Sequence, residues 1–155
     1  MIKIVLASKS EVRKKILLEN GIFCNVQPSK IDEDVIKQSL LKEGASPEII
    51  SKNLAELKAN KVSNKIPEKL VLGADSVIDL NGEIISKPKS REEALDILKQ
   101  MNGKSHFLIS SVCISKKGTM IWNHTDKAEL VMKDFSENEL KKYLTKISDK
   151  NLYAY

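Results

Sequence analysis

A chain of 155 residues, 41% hydrophobic and 30% charged, can bury one core and falls outside the disordered and fibrous classes. No apolar run approaches a membrane span, and the opening MIKIVLASKS turns polar too soon for a secretory signal. The expectation is therefore one domain over 1–155, in the cytoplasm and off the membrane. The net charge of +5 admits an anionic partner. Lys14-Lys15, Lys116-Lys117 and Lys141-Lys142 are scattered, however, which speaks for a solvated surface and against a nucleic-acid stripe. Cys24 and Cys113 show no CxxC spacing and read as small buried strand residues, outside any disulfide or zinc site.

Ile2 to Ala7 is a nearly continuous apolar run, as expected of a strand buried on both faces. It breaks into Ser8-Lys9-Ser10, where Ser10 is placed to cap the helix EVRKKILLEN. That helix should turn Val12, Ile16 and Leu17 inward and end at Gly21. A buried strand passing through hydroxyls into a helix start offers backbone N–H groups and the positive end of a helix dipole, which suits an anion. Arg13 lies in the first turn, where a helix prefers acids, and its fork would suit a phosphate held there. Ser10 as a plain cap and Arg13 as a surface residue account for this segment equally well.

Phe23 to Val26 reads as a second strand. The cluster Asp32-Glu33-Asp34 follows, a solvated loop or helix start from which one acid could face a cation. The next helix opens at Ser46-Pro47, a cap followed by proline at the first helical position, with Ile50, Leu54 and Leu57 as its stripe. Lys58 falls on the same side as Ile50 and Leu54. Snorkelling at the core's edge explains such a lysine, and a functional lysine in a cleft is the other reading.

From Leu70 to Pro88, LVLGADSVIDLNGEIISKP, an apolar run climbs to Asp75 and Ser76 and turns through Asn81-Gly82. This is the signature of two antiparallel strands joined by a type I′ turn. If Leu80 faces Glu83, then Ser76 faces Lys87 on the same side of the sheet. A hydroxyl, an ammonium and the Asp75 carboxylate would then be neighbours. An ordinary surface hairpin is the alternative, but an aspartate closing an apolar strand favours a cleft.

Ser90 and Glu93 form a capping box for REEALDILKQM, which Asn102-Gly103 closes. Strands follow at Ser105–Ser115 and, after Lys117-Gly118, at Met120–Met132. His106 and Ser110 share a face of the first; an isolated histidine there is more often structural than catalytic, and His124 carries no signal. Ser136 and Glu139 box the helix ENELKKYLTK. Alternating β and α elements, with a long antiparallel ribbon in the second half, argue for an α/β domain with a mixed sheet and flanking helices.

LASKSEVRKKIL, LAELKA around Lys58, GADSV around Asp75, SKP around Lys87 and EALDILKQMNGKSHFLIS occur in this order along the chain. Together they resemble the Maf (septum-formation) family of nucleoside triphosphate pyrophosphatases. The resemblance implies a two-lobed, inosine-triphosphatase-like fold with a central cleft, and hydrolysis of a nucleoside triphosphate to monophosphate and pyrophosphate. It also implies a divalent cation, Mg²⁺ or Mn²⁺ in its place, and a homodimer. Carried over by motif, phosphate binding falls on Ser8, Ser10 and Arg13, the substrate-binding cleft lysines, as cations for the triphosphate, on Lys58 and Lys87, and the proposed catalytic base on Asp75. Ser76 joins the substrate-binding set, and Glu33 and Asp75 are the metal candidates.

Ser76 and Ser110 stand where the family often has threonine, and both keep a hydroxyl. Family members continue through a Gly-rich segment resembling GAYGIQG, whose glutamine belongs to the site. Leu152, Tyr153 and Tyr155 are apolar residues near the end of this chain, so the expectation is a C-terminally shortened form with weak or absent activity.

The residues agree with that chemistry. A triphosphate needs cations and donors around its charge, and attack of water at phosphorus needs a carboxylate as base, as metal ligand, or as both. Mg²⁺ suits such a site because it bridges one or two carboxylates to substrate phosphates. The competing class is a nucleotide- or nucleic-acid-binding regulator of cell division, and an inactive shortened homologue is a third reading. Base preference among dTTP or UTP, 7-methyl-GTP and other modified nucleotides depends on pocket side chains that one sequence does not locate.

Overall fold

The computed structural model describes residues 3–153. Its elements run β1 (Ile4–Leu6), α1 (Glu11–Glu19), β2 (Cys24–Val26), α2 (Glu33–Lys42), α3 (Pro47–Lys65), β3 (Leu70–Leu80), β4 (Glu83–Ile85), α4 (Arg91–Met101), β5 (Ser105–Lys116), β6 (Thr119–Val131), α5 (Glu137–Thr145) and α6 (Asp149–Leu152). The strands hydrogen-bond in the order β2-β1-β3-β5-β6, with β4 also on β3. β1 pairs parallel with β2 and β3, whereas β4 pairs antiparallel with β3, so the sheet is mixed and helices flank it. Ile2, expected at the start of the first strand, and Tyr155 lie outside the described residues.

The residues group into two compact units. The first runs to Ser76 and takes in Ile109–Asp126; the second is Val77–Leu108 with the residues from Lys127 onward. In the first unit Val5 and Ala7 of the β1 segment, Val71 of β3 and Cys113 of β5 pack against Ala55, Ala59 and Val62 of α3. The helix comes close because its contact side is lined with alanine and meets Gly73. A Cβ at Gly73 would stand 2.8 Å from Ala59 Cβ, inside any contact real side chains tolerate. Polar bonds pin the far end of α3. Ser115 Oγ donates to Asn60 Oδ1 at 2.6 Å, and the Gly118 N–H donates to Ser63 Oγ at 3.1 Å.

In the second unit Ala94, Leu144 and Leu152 form a small core, joined by Leu95, Leu98 and Ile147. Arg91 ties its pieces together: Nη1 donates to the Leu144 carbonyl and Nη2 to that of Ile147, while Nε and Nη2 reach Asp149 Oδ1.

The Asn81-Gly82 turn has positive φ at both residues, 52° and 88°, as a type I′ hairpin requires. Leu80 faces Glu83 as expected. The ladder ends at Ile78 and Ile85, however, so it does not extend to the anticipated Ser76–Lys87 pair. Two helix readings also change. Val12 and Ile16 of α1 are 59% and 53% exposed and Leu17 is only half-buried, so the expected inward stripe is not a core face. Leu57 is exposed too, and the buried side of α3 is Ile50, Ser51, Leu54, Ala55, Lys58, Ala59, Val62 and Ser63. The acidic cluster, read as solvated loop or helix start, takes the second form: it opens α2, for which Asp32 is the N-cap, accepting the Val35 N–H.

At α4 only half of the expected capping box forms. Ser90 accepts the Glu93 N–H, but the Glu93 carboxylate takes the N–H of Lys89. The box at Ser136 and Glu139 is complete. Leu152, read from sequence as an apolar residue leading nowhere, is buried against Ala94 and Leu144. Cys113 is buried as expected and Cys24 only half so; both thiols are free.

Candidate active site

The first unit collects most of the chemistry-bearing residues at the carboxyl end of its parallel ladder. β1 pairs with β3 up to Leu6 and Leu72, and the Ala7 N–H still reaches the Leu72 carbonyl. Beyond that point β1 gives way to Ser8-Lys9-Ser10, while β3 continues through Asp75. Asp75 therefore lies within a strand rather than at its end, as the sequence reading had it; β3 runs on to Leu80. Its special position comes from β1 stopping beside it. Open α/β sheets bind ligands at such carboxyl ends.

Strand alternation puts Asp75 on the same face as Val71 and Gly73, the face covered by α3, and only 6% of the residue is exposed. Lys58 comes from the buried side of α3, itself 4% exposed. Its Nζ lies 2.8 Å from Asp75 Oδ1, 2.8 Å from Glu33 Oε1 and 3.4 Å from the Ala74 carbonyl. This is not a snorkelling lysine, since its charge stays inside. Glu33 arrives on the first turn of α2, which explains how a residue from the acidic cluster reaches a lysine on another helix. The backbone of Asp75 is fixed as well: fully buried Ser51 donates its hydroxyl to the Asp75 carbonyl at 3.1 Å. Sequence reading missed Ser51, because a serine on an apolar helix face announces no partner.

Burial pushes the Asp75 carboxyl above its ordinary value of 3.8. The Lys58 charge and hydrogen bond pull it back, the Glu33 charge adds to the rise, and the Arg13 charge opposes it. The rise has a visible cause in the geometry, because the carboxylate keeps one oxygen with no compensating bond. Oδ1 takes Lys58, whereas Oδ2 is shielded from solvent and has no hydrogen-bond partner among the described residues.

The serine turn is built around Ser8 and Ser10. Ser8 Oγ accepts the Ser10 N–H at 3.1 Å and Arg13 Nη1 at 3.2 Å. Ser10 is the N-cap of α1, and its hydroxyl accepts the Arg13 N–H. Ser76, exposed and pointing to the other face of β3, shares a 2.9 Å hydrogen bond with Ser110 of β5. Lys87 lies in the second unit, exposed, two residues past β4. His106, also in the second unit, is half-buried, with Nδ1 shielded and without a hydrogen-bond partner among the described residues. His124 is exposed and stacks on Trp122.

Among the described residues no group of three or more His, Cys, Asp and Glu side chains gathers as a metal cluster. A Mg²⁺-type ion does not need one, since it is bound by one or two carboxylates together with substrate phosphates and water. The unpartnered Oδ2 of Asp75 is a donor of the right kind, and Glu33 brings a second carboxylate to the same lysine, so the residues fit such an ion.

Among the described residues no helix is long and apolar enough to cross a membrane. Comparison with known proteins agrees with this architecture. A HAM1 protein from Coxiella burnetii superposes with a TM-score of 0.50 at 14% identity, over 83% of this chain and 71% of that one, which is a likeness of fold. The chain is 69% identical to a nucleoside triphosphate pyrophosphatase of Pelagibacter ubique, over 99% of its own length and 78% of that protein's. It is 33% identical to a 7-methyl-GTP pyrophosphatase of Rhizobium etli, over 97% of its length and 75% of the relative's. The model of the family described as Maf-like protein matches residues 3–152, and the chain belongs to that family.

Proposed function

We propose that this chain hydrolyses nucleoside triphosphates to the monophosphate and pyrophosphate, in a house-cleaning role toward modified or surplus nucleotides. Family membership and the names of its relatives support the reaction class. The observation that carries the reading in this molecule is Asp75: a buried carboxylate with one oxygen held by Lys58 and the other unengaged, at the carboxyl end of the β1–β3 ladder.

In the reaction, water attacks the α-phosphorus and the bond from that phosphorus to the oxygen bridging the α- and β-phosphates breaks. Pyrophosphate leaves with the electron pair, and the water's proton passes to Asp75 Oδ2. Arg13 carries a planar fork suited to phosphate oxygens and, in this structure, rests on the Ser8 hydroxyl. Ser8 and Ser10 set the turn that presents it. Lys87 and Ser76 complete the proposed substrate-binding set. Mg²⁺ or Mn²⁺ would be held by Asp75 and Glu33, and when bound it would neutralise charge on the substrate's phosphates. The cytoplasmic setting in the proposal is supported by two unpaired thiols.

The test is pyrophosphate release by the purified chain, with Mg²⁺, on dTTP, UTP, 7-methyl-GTP and the common triphosphates. Release that disappears in Asp75→Asn is expected. Nucleotide binding without release from any substrate would overturn the reading in favour of a binding protein.

A further inference from the structure

Lys58 was expected from its motif to bind the substrate's phosphates, but its surroundings in this structure point elsewhere. An ammonium has three donors and no acceptor, and three acceptors surround Nζ: Glu33 Oε1, Asp75 Oδ1 and the Ala74 carbonyl. The side chain is 6% exposed, so a phosphate oxygen could gain it only by displacing one of those partners. Arg13, in contrast, is half-exposed and gives Nη1 to a neutral hydroxyl, an exchange that a phosphate would readily win.

We propose that Lys58 is the internal counter-ion of the Glu33–Asp75 carboxylate pair: a positioning residue that holds the two acids together and competes with a divalent cation for them. The proposal rests on the hydrolytic reading only for its place in a reaction; the competition itself is a property of the protein and a metal. Two carboxylates and one ammonium leave a single net negative charge, shared between a buried Asp75 and a Glu33 whose side chain is 37% exposed. Without the ammonium the two acids lose the cation they share, and the buried Asp75 carboxylate left in that state seeks another cation strongly. The lysine would thus lower metal affinity while keeping the carboxylates close in the metal-free protein. The same contact orients Asp75, because with Oδ1 fixed by Lys58 the remaining acceptor is Oδ2.

The experiment measures Mn²⁺ alone, without nucleotide, by paramagnetic resonance and by thermal shift. It compares wild type with Lys58→Met and Lys58→Gln; the glutamine retains a donor for Asp75 but no charge. Both variants are expected to bind Mn²⁺ about tenfold or more tightly than wild type. Both should also melt lower than wild type without metal and show the larger upward shift with Mn²⁺. If Lys58→Met does not fold in either condition, Lys58→Gln decides. Unchanged or weaker Mn²⁺ binding, with the loss confined to a non-hydrolysable triphosphate analogue, would make Lys58 a phosphate ligand and overturn the proposal. Wild-type protein that releases no pyrophosphate yet shows the Mn²⁺ pattern would remove the reaction and leave the counter-ion role standing.

Discussion

Gly73 of β3 and Ala59 of α3 meet so closely that a Cβ on the glycine would come within 2.8 Å of the alanine's and overlap the Ala55 carbonyl oxygen. Two small side chains on the helix and no side chain at Gly73 on the strand let α3 lie close on the sheet, which is what brings Lys58 onto Asp75. Gly73→Ala forces the helix away. The expected cost is about 1–3 kcal/mol of stability, the usual range for overpacking, read as a lower midpoint in urea. Activity should fall with it, because the Lys58–Asp75 contact depends on the same approach. Ala59→Gly in the same chain should rescue only part of the loss, since the overlap with the Ala55 carbonyl remains and a helical glycine costs about 1 kcal/mol itself.

The acid side of the pH profile follows from Asp75. Desolvation raises its pKa, while Lys58 holds the rise in check. A base must be ionised, so kcat/KM should fall toward acid with a limb above the ordinary 3.8, and Lys58→Met should move that limb higher still. The stability effect has the opposite sense. A carboxyl whose folded pKa exceeds its unfolded value contributes stability below 3.8, and that contribution is lost as pH rises through the folded value. The melting temperature of wild type relative to Asp75→Asn should therefore climb as pH falls through that window. A kcat/KM profile flat down to pH 4 would remove Asp75 as the base.

What could be read beforehand divides along physical lines. The Asn81-Gly82 turn was legible because its two positive φ angles restrict the residues that can occupy it. Lys58 on the buried side of α3 was legible because helical spacing fixes which side a residue takes. Its carboxylate partner Glu33 was not, because that contact is tertiary and the cluster around Glu33 reads equally as loop. The stripe on α1 misled for a related reason: periodicity says which residues share a face, not whether anything packs against it. That β1 breaks at Ser8-Lys9-Ser10 was legible in the local pattern; that it breaks beside Asp75, which defines the site, depends on pairing register and was not.

Arg91 offers a test in which exposed charge and backbone bonding predict different outcomes. Its ion pair with Asp149 is exposed, 44% and 71% for the two side chains, so it should contribute little. Its bonds to the Leu144 and Ile147 carbonyls close the turn between α5 and α6. Arg91→Ala should cost about 1–2 kcal/mol, on the scale of hydrogen bonds from a charged donor. Asp149→Asn should cost under about 0.5 kcal/mol. Equal losses in urea melts would show that the ion pair, not the carbonyl bonds, holds the turn.

Arg13 sits where the helix itself has no use for it. It occupies the first turn of α1, whose dipole disfavours a cation there, and its guanidinium rests on the Ser8 hydroxyl 3.2 Å away. Its charge is nevertheless felt at Asp75, whose ionised form it favours. A cation kept against the helix's preference and near a buried carboxylate is suited to an anion that arrives from outside. Arg13→Ala should weaken binding of a non-hydrolysable triphosphate by about 1.5–3 kcal/mol, the range for a charge-assisted contact, and leave binding of the free nucleoside unchanged. Arg13→Lys should fall between, because it keeps the charge and loses the planar fork. The melting temperature should hold or rise slightly as the unfavourable dipole interaction disappears. Calorimetry that finds the same loss for nucleoside and triphosphate would show that Arg13 acts on the base or on folding, and would take it out of the phosphate site.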